Sequence, residues 1–378
     1  MPVSLINYLT TIRFGEGAVA GIADDLGELD ISRALVVTDR GVTEAGLVER
    51  VLADVPADRI AAVFDETPSN PTEDAAMAAL TLYRDAGADG IIAVGGGSPI
   101  DLAKAIALLA THDGPLERYA AILGGVERIT ADVAPVLAVP TTAGTGSEVG
   151  RAALVTLSDG RKLGFISPHL IPRRAVCDPE LTYGLPPALT AATGIDAISH
   201  CIETYLSPRD NPPAEAIALD GLRRAVQHIQ AAVDDGRQPA ARREMMMAAL
   251  QGGLTFQKGL GAVHAISHPA GGIDGVALHH GMLNAVLLPH VLRFNATAAE
   301  YKYAALRHAC GLTEDDDVAD FFDRLVAALG LPPSLSVLGL PADAIPTVVD
   351  GALKDHSAAT NPRPISREDV EKLVNAAY

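Results

Sequence analysis

The chain has 378 residues, 29 Lys+Arg against 47 Asp+Glu, and a formal charge of −18, with 4% aromatic residues and no Trp. That length supports two cores more readily than one, and that charge argues against a nucleic-acid binder. Three cysteines without CxxC spacing, no secretory leader pattern and no apolar run long enough for a bilayer indicate a cytoplasmic enzyme without a disulfide framework or membrane contact.

In chain order, residues 34–38 (ALVVT) read as a buried strand ending in Asp39, and 60–64 as a second, followed by a Pro68-to-Pro71 loop. An alanine-rich helix is expected over 72–86 and a buried strand over 90–94. Gly95, Gly96 and Gly97 come next, with Ser98-Pro99 opening a helix to about residue 110. A further strand, 135–139, leads into Pro140-Thr141-Thr142. Strands alternating with helices predict a parallel α/β domain that binds ligands at the carboxyl ends of its strands. Near Pro186-Pro187 the pattern turns helical, with helices expected at about 188–206, 212–233, 238–258, 260–270 and 281–293, then several shorter ones. The fold class is therefore α/β plus all-α, with domains at 1–185 and 186–378.

Each half carries its own chemistry. A triple glycine between strand and helix permits close approach of a diphosphate, the helix start offers free amides, and Ser98 adds a hydroxyl. The run is neither a GxGxxG fingerprint nor a P-loop, and a sharp structural turn is the competing reading. Asp39 at a strand end suits the two ribose hydroxyls and would repel a ribose phosphate, favouring NAD over NADP; an ordinary turn acid is the alternative. Thr141, Thr142 and Ser147, in the stretch Thr-Thr-Ala-Gly-Thr-Gly-Ser-Glu, are further candidate cofactor contacts.

In the helical half, Asp196 and His200 stand four apart, as do His264 and His268, so each pair shares a helix face. With the pair His279-His280 they offer one carboxylate and several imidazoles, a donor set for a divalent metal such as Fe or Zn. Helical histidines are also common as packing or surface residues. A metal on an alcohol oxygen stabilises the charge that develops as hydride leaves carbon, while a nicotinamide receives the hydride.

Taken together, Gly95-Gly96-Gly97-Ser98 with Asp101 and Lys104, Thr141 to Glu148, Gly194 to Glu203, His264 to Pro289 and Asn361-Pro362-Arg363-Pro364 closely resemble the iron-containing alcohol dehydrogenases over almost the whole chain. The resemblance implies a Rossmann-like amino-terminal domain, a helical metal-binding domain of the dehydroquinate synthase-like kind, and an active cleft between them. It assigns the metal to Asp196, His200, His264 and a last histidine before Gly, which matches His280-Gly281, with His279 as the competitor. It makes His268 a non-ligating group and the candidate for proton transfer. It adds Asp101 and Lys162 to the cofactor contacts and Phe256 to the wall of the pocket.

Two positions depart from the family pattern. Gly150-Arg151 replaces a neutral polar pair, so Arg151 is a candidate clamp for a substrate carboxylate, against pairing with Glu148 or a phosphate. His356 stands where a small thiol residue is common, and is a candidate pocket residue. The implied activity is NAD-linked interconversion of a small primary alcohol and its aldehyde with Fe(II), alternatively Zn(II), in a homodimer or larger homo-oligomer. The alternatives are a 4-hydroxybutyrate or other hydroxy-acid dehydrogenase, a maleylacetate reductase, and, remotely, a noncatalytic metal- and nucleotide-binding protein.

Overall fold

The structure, a computed structural model, describes Tyr8, residues 10–273 and residues 275–378. The chain divides into two compact units: Tyr8–Thr142 with Gly146–Gly184, and Ala143–Thr145 with Leu185–Tyr378.

The first unit is built on β1 (Thr11–Phe14), β2 (Ala34–Val37), β3 (Ile60–Phe64), β4 (Gly90–Gly95), β5 (Val136–Pro140) and a late strand numbered β8 (Arg174–Cys177). They form one parallel sheet in the order β1-β8-β5-β4-β2-β3. The antiparallel hairpin of β6 (Ala152–Thr156) and β7 (Lys162–Ile166) stands apart from it. Alternate residues of the central strands enter opposite cores. Leu35, Ile91 and Ala138 pack with helices α4 (Glu73–Asp85) and α5 (Gly97–Thr111). Val36, Ile92 and Val139 pack with α1 (Ile22–Glu28), and also with Val42 of α2 (Arg40–Glu44) and Val48 of α3 (Leu47–Leu52). A sheet covered on both faces explains why its inner strands read as unbroken apolar runs rather than alternating ones.

The second unit is helical: α6 (Pro187–Leu206), α7 (Pro212–Asp234), α8 (Pro239–Leu254), α9 (Ala262–Ala270), α10 (His280–Asn295), α11 (Glu300–Cys310), α12 (Val318–Ala328), α13 (Leu335–Leu338), α14 (Ile345–Ala352) and α15 (Arg367–Ala377). Three of these begin on proline, whose absent N–H is no loss in a first turn. Helix α6 is buried all round from Thr190 to Leu206, as the central rod of a bundle must be, and packs against α7, α8 and α10. No described helix is long and apolar enough to cross a membrane.

Candidate metal centre and dinucleotide edge

Two turns of α6 present Asp196 and His200 on one face; α9 brings His264 and His268, and α10 opens on His280. Asp196 Oδ1 lies 3.5 Å from His200 Nε2, 3.6 Å from His264 Nε2 and 3.6 Å from His280 Nε2. A tetrahedral centre with bonds of ~2.1 Å separates its ligands by ~3.4 Å, so these spacings suit one divalent cation. Asp196, His264 and His280 form a mutually close set, with ligand atoms within 4.8 Å of one another. His200 adjoins that set through the shared carboxylate oxygen. His279, the residue before α10, is not in the close set, and burial lowers its pKa.

The approach of α10 to α6 has a simple steric cause. A Cβ on Gly281 would lie 2.2 Å from the Ala192 carbonyl oxygen, so only glycine lets the start of α10 reach the backbone of α6. That contact holds His280, one residue earlier, beside Asp196.

The donors are oriented by neighbours that spacing alone does not flag. Glu203, buried on α6, accepts from His264 Nδ1 at 2.6 Å through Oε2 and from the Val263 amide at 2.7 Å through Oε1. This carboxylate–histidine pairing turns Nε2 of His264 toward Asp196. The Asn284 amide nitrogen donates to Asp196 Oδ1 at 2.8 Å and lies 3.3 and 3.2 Å from Nε2 of His264 and His280. Asn284 Oδ1 is buried without a hydrogen-bond partner. A gathering of lone-pair donors around a single amide is chemistry that a cation satisfies better than the protein does.

Electrostatics fit the same picture. Burial alone would raise the Asp196 pKa, but His200, His264 and His280 overcome it and hold the carboxyl well below its usual range. Burial pushes the His200 imidazole down to about 4 against the pull of Asp196. Burial opposes charging His264 too, yet Glu203 and Asp196 prevail and hold it up at about 9. Below that pH a metal must displace a proton from His264.

Around this set, Phe256 meets the His200 ring edge-on at 4.8 Å. His268 stacks with His280 (centroids 5.4 Å apart, 11°) and with His356 (6.0 Å, 20°), and its Nδ1 lies 2.9 Å from Asp355 Oδ2. The helical unit thus brings Asp196, His200, His264, His268, His280, Phe256 and His356 together.

The expected cofactor residues fall in the α/β unit. Asp39, Gly95–Gly97 and Thr141–Thr142 lie at or just past the carboxyl ends of β2, β4 and β5, three neighbouring parallel strands. The chain runs from β2 outward to β3 and then returns to place β4 on the other side of β2, so β2 and β4 flank a topological switch point, the usual ligand crevice of such sheets. Gly95 has φ +150°, and a Cβ there would meet Pro99 at 2.6 Å. A Cβ on Gly96 would crowd Thr142 Oγ1 at 3.3 Å. Asp39 also caps α2, accepting from the Val42 amide at 3.0 Å.

Other residues of that group are engaged within the protein. Ser98 Oγ donates to the Ser69 carbonyl at 2.5 Å, and Lys162 Nζ to Asn70 Oδ1 at 2.8 Å. Ser147 Oγ donates to Asp101 Oδ1 at 2.5 Å and accepts from Lys104 Nζ at 2.7 Å. Lys104 also reaches the carbonyls of Gly150 and Ala152, and Asp101 Oδ2 takes the Leu154 amide. Asp101, Lys104 and Ser147 therefore brace the segment 147–154 against α5. Arg151 stands just before β6, where its carbonyl accepts from the Ser167 amide.

Comparison with known proteins agrees with this geometry. The family description "Iron-containing alcohol dehydrogenase" matches residues 10–179, and "Fe-containing alcohol dehydrogenase family, C-terminal" matches 190–378. The chain belongs to the iron-containing alcohol dehydrogenase family. It is 53% identical to a 4-hydroxybutyrate dehydrogenase of Cupriavidus necator, over 98% of this chain and 99% of that one. It is 36% identical to a 1,3-propanediol dehydrogenase of Citrobacter freundii, over 97% and 96%. A crystal structure of 1,3-propanediol oxidoreductase superposes with a TM-score of 0.93 at 34% identity, covering 99% of this chain and 100% of that one. As a family member the protein is a metal-binding oxidoreductase of small alcohols and aldehydes, with a Rossmann-like α/β domain followed by an all-helical one.

Proposed function

We propose that the protein is an NAD-linked 4-hydroxybutyrate dehydrogenase, interconverting 4-hydroxybutyrate and succinic semialdehyde. The observation that carries this reading is the 53% identity, end to end, with the Cupriavidus necator enzyme, against 36% for the propanediol enzyme. It prefers the hydroxy-acid alternative to a general alcohol dehydrogenase.

Asp196, His200, His264 and His280 would hold the metal, Fe(II) ahead of Zn(II), which supplies Lewis-acid stabilisation of negative charge on the substrate oxygen. His280 is preferred over His279 because its Nε2 faces Asp196 Oδ1. His268 takes the hydroxyl proton on oxidation and returns it on reduction. NAD, when bound, would supply the hydride acceptor, with Asp39 suited to its ribose hydroxyls and the amides following Gly95 suited to its diphosphate. Thr141, Thr142, Ser98 and Lys162 line the same assignment, while Asp101 and Ser147 serve it by bracing their segment. Phe256 and His356 belong to the substrate pocket, and Arg151 is the residue assigned to the substrate carboxylate. The working form is a cytoplasmic homodimer or larger homo-oligomer.

The test is NADH formation at 340 nm by Fe(II)- and Zn(II)-loaded and metal-free protein, with 4-hydroxybutyrate compared with 1,3-propanediol and 1-butanol and with NADP in parallel. Metal-dependent kcat/KM concentrated on 4-hydroxybutyrate, and lost in Arg151→Ala for that substrate alone, supports the reading. Equal or higher kcat/KM on the uncharged alcohols returns the protein to the general alcohol dehydrogenases.

A further inference from the structure

His268 owes its place to a carboxylate far away in sequence. Asp355 precedes a 3-10 turn, His356–Thr360, and its two oxygens have separate duties. Oδ1 accepts from the Ser357 amide at 2.8 Å, capping the turn, and Oδ2 faces His268 Nδ1 at 2.9 Å. The turn is itself fixed to the start of α9. Thr360 Oγ1 donates to the Leu260 carbonyl at 2.6 Å, and Asn361 Oδ1 accepts from the Ala262 amide at 3.1 Å. Burial opposes ionising Asp355, but His268, His356 and the Ser357 amide overcome it and hold the carboxyl low. An ionised carboxylate only accepts hydrogen bonds, so it requires a proton on the ring nitrogen that faces it.

We propose that Asp355 is a positioning residue that fixes His268 as the Nδ1–H tautomer and leaves Nε2 as its lone-pair nitrogen. The inference rests on the proton-transfer role given to His268 above. In the oxidation the O–H proton of the alcohol passes to Nε2, and the electron pair of the C–H bond leaves with the hydride to NAD+. The imidazolium so formed keeps its Nδ1–H on Asp355 and later releases the Nε2 proton to solvent. The His280 and His356 rings both lie nearly parallel to that of His268, so its ring angle is set by stacking and its tautomer by Asp355.

The capping bond makes one substitution informative. In Asp355→Asn the carbonyl oxygen is retained by the Ser357 amide, since asparagine caps helices as well as aspartate does. The amide NH2 then faces His268 Nδ1, which must accept, and the ring proton moves to Nε2. The expected result is a fall in kcat of about a hundredfold or more, with metal content, melting temperature and KM for 4-hydroxybutyrate near wild type. In 15N-histidine-labelled protein the His268 signals, assigned by their loss in His268→Gln, should change from the Nδ1–H to the Nε2–H pattern. An active His268→Gln overturns the proton-transfer reading and this proposal with it. A near-wild-type kcat in Asp355→Asn beside an inactive His268→Gln overturns this proposal alone. Should Asp355→Asn lose metal or unfold, Asp355→Glu decides. Recovery of the Nδ1–H pattern and of much of kcat supports the tautomer role, and an Nε2–H pattern in that variant overturns it.

Discussion

Glu203→Gln isolates the contribution of the outer carboxylate to the metal site. Glu203 serves two donors at once, the Val263 amide and His264 Nδ1, each through its own oxygen. A glutamine has one acceptor oxygen and one NH2, so if the oxygen keeps the Val263 amide, the NH2 faces His264 Nδ1; with a metal on Nε2 the ring proton must sit on Nδ1, and a buried donor then faces a donor. An unmade buried hydrogen bond costs ~1–3 kcal/mol. Loss of such an outer partner typically weakens metal binding by ~10–100-fold, or ~1.4–2.8 kcal/mol. The assay is titration of metal-free protein with Zn(II), and anaerobically with Fe(II), against a competing chelator. The pH profile supplies a second reading. Glu203 helps hold His264 up at about 9, and metal must displace that proton. Binding to the wild type should therefore tighten as pH rises toward 9 and then level off, whereas the variant should level off at lower pH. A dissociation constant within about threefold of wild type, with an unchanged pH profile, would refute the claim that Glu203 orients His264.

Three further outcomes are expected. Gly281→Ala puts a Cβ 2.2 Å from the Ala192 carbonyl oxygen and must move α10 against α6; overpacking of this kind costs ~1–3 kcal/mol, and metal content should fall more steeply than the melting temperature. Unchanged metal content would show that the helix contact does not set His280. Burial raises the Glu148 carboxyl to about 7 against partial relief from Lys104. Its folded-state pKa thus exceeds the unfolded one, so its contribution is full at pH below about 4.5 and is lost as pH rises through 7; the span is up to ~3 kcal/mol. Urea unfolding at pH 5.5 and 8 should show wild-type stability dropping relative to Glu148→Gln, and parallel behaviour of the two would disprove it. Lys104→Met leaves the Gly150 and Ala152 carbonyls and Ser147 without their buried donor. It should cost ~3 kcal/mol or more, and Asp101→Asn should add much less on top of Lys104→Met than alone, which a double-mutant cycle measures.

Legibility in the sequence followed the range of the forces involved. The inner strands were readable because both faces are buried: 60–64 matches β3 throughout, and the other predicted strands end within a residue of β2, β4 and β5. The strands β1 and β8 escaped because they are short and carry charge. Arg174 of β8 lies buried in an ion pair with Asp25 at 2.5 Å and reaches Glu28 at 2.6 Å. Composition reads such a residue as surface, whereas here its two terminal nitrogens pair with two acids from α1. The hairpin β6–β7 escaped, and nothing in the run 141–148 marks Ala143–Thr145 as belonging with the helical unit.

The same distinction separates the site residues that spacing reveals from those it conceals. Asp196 with His200 and His264 with His268 obey the four-residue helical period, and so does Asn284, one turn beyond His280; the period that exposed the histidines held Asn284 as well, but an asparagine carries no metal signal by residue type. Glu203 is one helical step past His200 and was legible as position, not as function, because its partner His264 is 61 residues away. Asp355 had no periodic signal at all, being 87 residues from His268. Gly281 shows how a backbone contact underlies a sequence habit: glycine follows His280 because the carbonyl of Ala192 leaves no room for a side chain, not because of anything the metal requires. Local periodicity exposes residues that share one helix. The residues that orient them are fixed by contacts between helices, and those contacts determine whether four donors spaced for a metal also point at it.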